Sequence, residues 1–137
     1  MINFALQTNK KRMPVKKTTS QTKKLADLII SGMQESKAKS IVSMDLSAIK
    51  NSVCKYFIIC HGNSRTQVEA IADTIEDTVR KKLKEKPWHR EGVENAEWIL
   101  LDYVDVVVHI FQPQTRSFYQ LEKLWADAEI LEIASEE

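Results

Sequence analysis

Glycine, proline and cysteine are scarce in this 137-residue chain, at three, three and two residues. With so few glycines there is no glycine-rich loop of the kind that wraps a nucleotide phosphate; Gly62 stands alone ahead of a helical pattern. Cys54 and Cys60 fall in or beside one apolar segment without metal-ligand spacing. They read as reduced, partly buried thiols of an intracellular protein. No apolar run approaches the roughly 20 residues that span a bilayer. The apolar opening at residues 2–6 precedes a basic patch, the reverse of the order in a secretory signal. What remains is the expectation of one cytoplasmic domain without a membrane segment.

Net charge of one sign is also missing, since the formal total is only +1. That total hides an asymmetry. Residues 1–24 carry seven Lys or Arg and no acid, residues 127–137 carry five acids and no base, and the part between is almost neutral. The chain therefore divides into a basic N-terminal arm (residues 1–22), one central domain (23–127) and an acidic C-terminal tail (128–137). The arm, with Lys10, Lys11, Arg12, Lys16 and Lys17, reads as a solubilising tail, as a contact with RNA through counterion release, or less readily as an organellar targeting peptide. The central composition alone does not concentrate positive charge as a nucleic-acid-binding core would.

Hydrophobic periodicity orders the elements. Leu25, Leu28, Ile29 and Met33 predict a helix over residues 21–36, with Ser20 or Thr22 as its cap. A short strand follows at 40–45 and a second at 55–60, the latter apolar on both faces and so covered on both sides. Ser64 and Gln67 fit a capping box, and Val68, Ile71, Ala72, Ile75, Val79 and Leu83 continue as one stripe to about residue 84. Pro87 and Gly92 bracket an irregular segment. After the hairpin described next, residues 112–116 turn the chain into a last helix over 117–125, and AEILEI at 128–133 either frays or adds an edge strand. This order specifies an α/β domain with a mixed β-sheet packed by helices.

Residues 91–111 carry two apolar runs separated by Tyr103 and Val104, which predicts an antiparallel hairpin. A two-residue turn there sets Asp102 opposite Asp105, Leu100 opposite Val107 and Trp98 opposite His109. Alternation then sorts the side chains. One face is wholly apolar, with Ile99, Leu101, Val106, Val108 and Ile110, and is the core side. The other holds Trp98, Leu100, Asp102, Asp105, Val107, His109 and Phe111, a mixture that resembles a docking surface more than a core.

Chemical constellations are sparse. Gly62, Asn63 and Ser64 at a helix start could hold a phosphate, although the cap alone accounts for them. Asp102 and Asp105 could be metal carboxylates, or acids that bond a turn backbone. His109 is either satisfied structurally, in contact with a partner, or catalytic, but no Ser or Cys is placed to form a nucleophile pair with it. Trp98 is either an interface anchor or packed under the final helix or a loop. No catalytic residue, metal or cofactor is assigned; a nucleotide-binding or nucleotidyltransferase-type enzyme is the alternative reading.

Three motifs in this order and spacing carry a family resemblance: YFIICHGNSRTQVEAIAD at residues 56–73, EG…W-LLDY-DVVVHIF at 91–111 and R-FYQLEKLW at 116–125. The chain resembles the ribosomal silencing factor family, also called the Iojap-related family. The resemblance implies a nucleotidyltransferase-like fold without its catalytic carboxylate set. It further implies binding to ribosomal protein uL14 on the large subunit, so that the small subunit cannot join and translation is repressed. Carried over by motif, the contact residues are Trp98, Leu100, Asp102, Tyr103, Asp105, His109, Glu122 and Lys123. Trp98 and Leu100 serve as apolar anchors, and Asp102 and Asp105 as charge partners. The free protein is expected to be a monomer or weak homodimer. Val104 stands where the family usually has glycine, and a β-branched residue tolerates positive φ badly. Lys55 replaces the usual Asp before Tyr56.

Overall fold

The computed structural model describes residues 17–49, 52, 54–124 and 128–133. Lys10, Lys11, Arg12, Lys16, Trp125 and the last four residues of the acidic tail lie outside them. The elements are α1 (Thr19–Glu35), β1 (Lys39–Asp45), β2 (Tyr56–His61), α2 (Arg65–Leu83), β3 (His89–Glu91), β4 (Trp98–Asp102), β5 (Val106–Phe111), α3 (Pro113–Tyr119), α4 (Leu121–Leu124) and β6 (Glu129–Ile133).

Helix α1 starts two residues earlier than its apolar stripe suggests. Thr18 is the N-cap: its hydroxyl accepts from the Gln21 N–H at 3.1 Å, and Gln21 Oε1 accepts from the Thr18 N–H at 2.9 Å. Ser20 and Thr22 are therefore not caps. The helix takes in the end of the stretch assigned to the arm. Ser64 caps α2 by accepting from the Gln67 N–H at 3.1 Å, while Gln67 Oε1 accepts from Asn63 N–H at 2.7 Å. The two helices cross closely at Gly32, where a Cβ would lie 3.1 Å from the Ile75 Cα.

Among the described residues, six strands form one mixed sheet in the order β3-β4-β5-β2-β1-β6. Only β2 and β5 are parallel; the other neighbours are antiparallel. Strand β6 pairs with β1 from Ile41↔Ile133 to Asp45↔Glu129, so the 128–133 segment adds an edge strand. Strand β3 was not legible, because three charged residues show no alternation. It closes the other edge.

Both faces of the sheet are covered. Helices α1 and α2 pack on one side, where Ile29, Ile71 and Ile75 meet Ile58, Leu101 and Val108. Burying each such side chain is worth about 1.5–3 kcal/mol. The other side is a second core of Met44, Phe57, Ile59, Leu100, Val107 and Phe111. It is roofed by Leu46 and Cys54 from the β1–β2 connection and by Leu121 and Ala128 from the C-terminal strap. That strap departs from the single expected helix over 117–125. Pro113 begins α3 at the first helical position, where its missing N–H costs nothing. Gln120, with φ +47, separates α3 from α4.

The hairpin register is two residues away from the expected one. Asp102 pairs with Val107, Leu100 with His109 and Trp98 with Phe111. Tyr103 N–H donates to Val106 O at 2.9 Å, which leaves Val104 and Asp105 as the turn. Asp105 N–H donates back to Tyr103 O at 3.0 Å, closing a tight turn around Val104 at φ +77. A two-residue slip preserves strand alternation, so the face assignments within the strands are unchanged.

Candidate functional site

The face carrying Trp98 and His109 is built as an aromatic cluster. The Trp98 indole donates to His109 Nδ1 at 3.1 Å, and its ring lies 4.8 Å from those of both Phe111 and Tyr119. Phe57 meets His109 edge-on at 4.7 Å. Burial holds the His109 imidazole down to about 3, so it is neutral at physiological pH and accepts at Nδ1. Trp98 is only partly buried, and it is held in place by these contacts.

Leu100, Asp102 and His109, expected on an open docking surface, are buried. The reason is the second core: the β1–β2 connection and the C-terminal strap lie over the sheet where the hairpin alone suggests solvent. Asp102 Oδ1 accepts from Val104 N–H at 2.8 Å, which is the turn-bonding role available to an acid there. Tyr103 is buried in the helix-side core, and burial followed by the charges of Glu76 and Glu85 pushes its hydroxyl up. Asp105 leaves the Asp102 face altogether. Its Oδ2 accepts from the buried Thr22 hydroxyl of α1 at 3.5 Å.

The residues of the enzyme reading are not brought together. In the parallel pair, Tyr56 lies beside Val106 and His61 beside Phe111. Gly62 and Asp105 therefore leave opposite ends of the sheet, about 23 Å apart along the strands. The donors of the 62–64 loop are also engaged, Gly62 N–H with Phe111 O at 2.9 Å and Asn63 N–H with Gln67. Among the described residues, no group of three or more His, Cys, Asp or Glu is arranged to hold a metal, and no helix is long and apolar enough to cross a membrane.

Beside the aromatic cluster, Arg116 organises the strap. Its guanidinium donates to Ser40 O at 2.8 Å and to Glu122 at 2.9 Å, and contacts His61 Nδ1 at 3.0 Å. Burial, then the positive charges of Arg116 and Lys39, lower the His61 pKa. Glu122 is thus fixed on α4, while Lys123 beside it is exposed. Arg116 belongs to a motif noted in the sequence, but no spacing pointed to its role, because its partners lie on β1, β2 and α4. Tyr119 went unassigned for the same reason.

The architecture is that of a mixed-sheet α/β domain, with two helices on one face and a loop and helical strap on the other. The profile of the family RsfS, "ribosomal silencing factor during starvation", matches residues 19–137, and the chain belongs to that family. It is 38% identical over 109 residues to the ribosomal silencing factor of Halalkalibacterium halodurans, covering 80% of this chain and 92% of that one. It is 39% identical over 112 residues to the factor of Bacillus subtilis, covering 81% and 92%. A crystal structure of a protein from Chromobacterium violaceum superposes with a TM-score of 0.72 at 31% identity, covering 77% of this chain and 86% of that one.

Proposed function

We propose that this protein binds ribosomal protein uL14 on the large ribosomal subunit and obstructs the small subunit, repressing translation as a steric wedge in the cytoplasm. Family membership supports the ribosomal setting. The observation that carries the surface is Trp98, a partly exposed indole locked between Phe111 and Tyr119 and hydrogen-bonded to His109. A rigid aromatic at a surface forfeits little conformational entropy on binding, which is what a hot-spot anchor requires.

On this reading Trp98 and the strap residues Glu122 and Lys123 meet uL14. Leu100 and His109 act from beneath, as the floor that sets the anchor, and Asp102 acts at the far end of β4 through the turn it bonds. The scaffold is read as a nucleotidyltransferase-like sheet used for binding, and the free protein as a monomer or weak homodimer. Lys10, Lys11, Arg12, Lys16 and Lys17 of the arm supply a peripheral contact with ribosomal RNA.

The test is capture of purified uL14 by the full chain, with re-association of ribosomal subunits as a second readout. Wild type is expected to bind uL14 and to inhibit joining. Trp98→Ala is expected to cost about 2 kcal/mol or more of binding energy. Lys123→Glu, an exposed change that leaves the fold untouched, is expected to weaken capture as well. Absence of wild-type binding rejects the proposal. Asp102→Lys is not a usable surface probe, because it places a charge in the second core.

A further inference from the structure

The near-neutral central composition conceals a local concentration of cations. Residues 80–90 read RKKLKEKPWHR, with six Lys or Arg against one acid. They form the last turn of α2, its left-handed cap at Lys84, the following loop and the start of β3. Arg80, Lys81, Lys82, Lys84, Lys86 and Arg90 are all exposed.

Three of the nearby acids are engaged, while Asp73 stays exposed in the same groove as Lys86 and Arg90. Asp77 pairs with Arg80 and Lys81, Glu76 with Arg90 at 3.2 Å, and Glu85 with Lys17 at 2.9 Å. Lys82, Lys84 and Lys86 form no ion pair with a described residue. The Lys17–Glu85 pair also brings Lys17 to this same surface.

Cations in a last helical turn complement the helix C-terminus, and that explains Arg80, Lys81 and Lys82 without a ligand. It does not explain Lys86, Trp88, His89 and Arg90, which lie beyond the helix. Trp88 is 50% exposed, although its backbone N–H is fixed to Asp102 O at 2.7 Å. A half-exposed indole anchored through its main chain, with Lys86 and Arg90 each two residues away in the chain, has the makeup of a single-strand nucleic-acid platform: cations for phosphates and an aromatic face for a base.

We propose that the α2 C-terminus, the 84–88 loop and β3 form an RNA-binding patch in which Lys82, Lys84 and Lys86 contact phosphates and Trp88 stacks on an unpaired base. The choice of RNA over an acidic protein segment rests on the ribosomal reading and on Trp88, whose stacking an acidic peptide would not use. Trp88 and His89 lie at the Asp102 end of β4, and Trp98 is at its other end.

Fluorescence anisotropy of the full chain with a labelled 20-nucleotide single-stranded RNA, at a series of salt concentrations, tests this. Wild type is expected to bind with marked salt dependence. The triple change Lys82→Gln, Lys84→Gln and Lys86→Gln should weaken binding at least tenfold at low salt and flatten the log–log salt slope by about 2 to 3. Trp88→Ala should weaken it about tenfold and leave the slope unchanged. Both variants should melt like wild type and still capture uL14, so that failure of the uL14 reading and failure of the patch are told apart. The proposal is overturned if wild type does not bind, or if both patch variants bind like wild type. It is likewise overturned if neutralising Lys10, Lys11, Arg12 and Lys16 alone accounts for all the affinity. Labelled polyglutamate bound as tightly as RNA, with the same loss on Trp88→Ala, would replace RNA with an acidic protein partner.

Discussion

Trp98 and His109 are joined across the hairpin by an indole N–H donated to Nδ1 at 3.1 Å, although the two residues are not register partners; Trp98 pairs with Phe111 and Leu100 with His109. The diagonal bond requires the neutral imidazole with its proton on Nε2. Protonation at Nδ1 would set two donors against each other.

Stability should therefore fall with acid. The folded-state pKa of His109 is lowered to about 3 by burial, below the ordinary value of 6.5. The unfolded chain thus binds the extra proton between these values, and stability is full above 6.5 and declines as pH falls. One such group contributes a loss of about 2 kcal/mol between pH 7.5 and pH 5. Urea denaturation across this range should show that loss in wild type and a flatter profile in His109→Gln. Equal slopes in the two proteins would refute it.

Val104 holds φ +77 in the hairpin turn, a region that a β-branched side chain adopts only under strain. Val104→Gly is expected to stabilise the domain by about 1 kcal/mol, strain relief outweighing the added unfolded-state entropy. Thermal melting measures it, and a lowered midpoint would count against strain at this turn.

Gly92 lies at φ +81, where an added Cβ would sit 1.9 Å from the Trp98 carbonyl oxygen. Gly92→Ala must displace the start of β4 along with the anchor indole. A cost of about 3 kcal/mol is expected, from the clash and the disfavoured φ together. A variant within about 0.5 kcal/mol of wild type, the range of neutral surface changes, would show that the backbone yields there.

Arg116 joins Ser40, His61 and Glu122 through one guanidinium. Arg116→Met keeps much of the side-chain volume and removes all three contacts, with an expected cost of about 2–3 kcal/mol. Two further readouts separate its role from general packing. Amides of α4 should lose hydrogen-exchange protection, and His61 should titrate at higher pH once the neighbouring positive charge is gone. An unchanged His61 titration would remove Arg116 as a cause of its lowered pKa.

What the sequence determined by itself is what local periodicity controls. The stripe of α2, its Ser64 cap and the alternation of the hairpin are written in residues a few positions apart, and they set the mixed α/β plan and the face of each strand residue. Even the two-residue error in register left the strand faces intact, because side chains repeat every two residues. Tertiary structure decided what covers each face. The amphipathic look of Trp98, Leu100, Asp102 and His109 could not reveal that the β1–β2 connection and the strap roof that side, since those segments meet the hairpin only through contacts distant in sequence. Asp105 turned to Thr22, 83 positions away, and Arg116 found partners on three elements for the same reason. Trp98 kept its place at the surface, but folding supplied the Phe111, Tyr119 and His109 contacts that make it rigid.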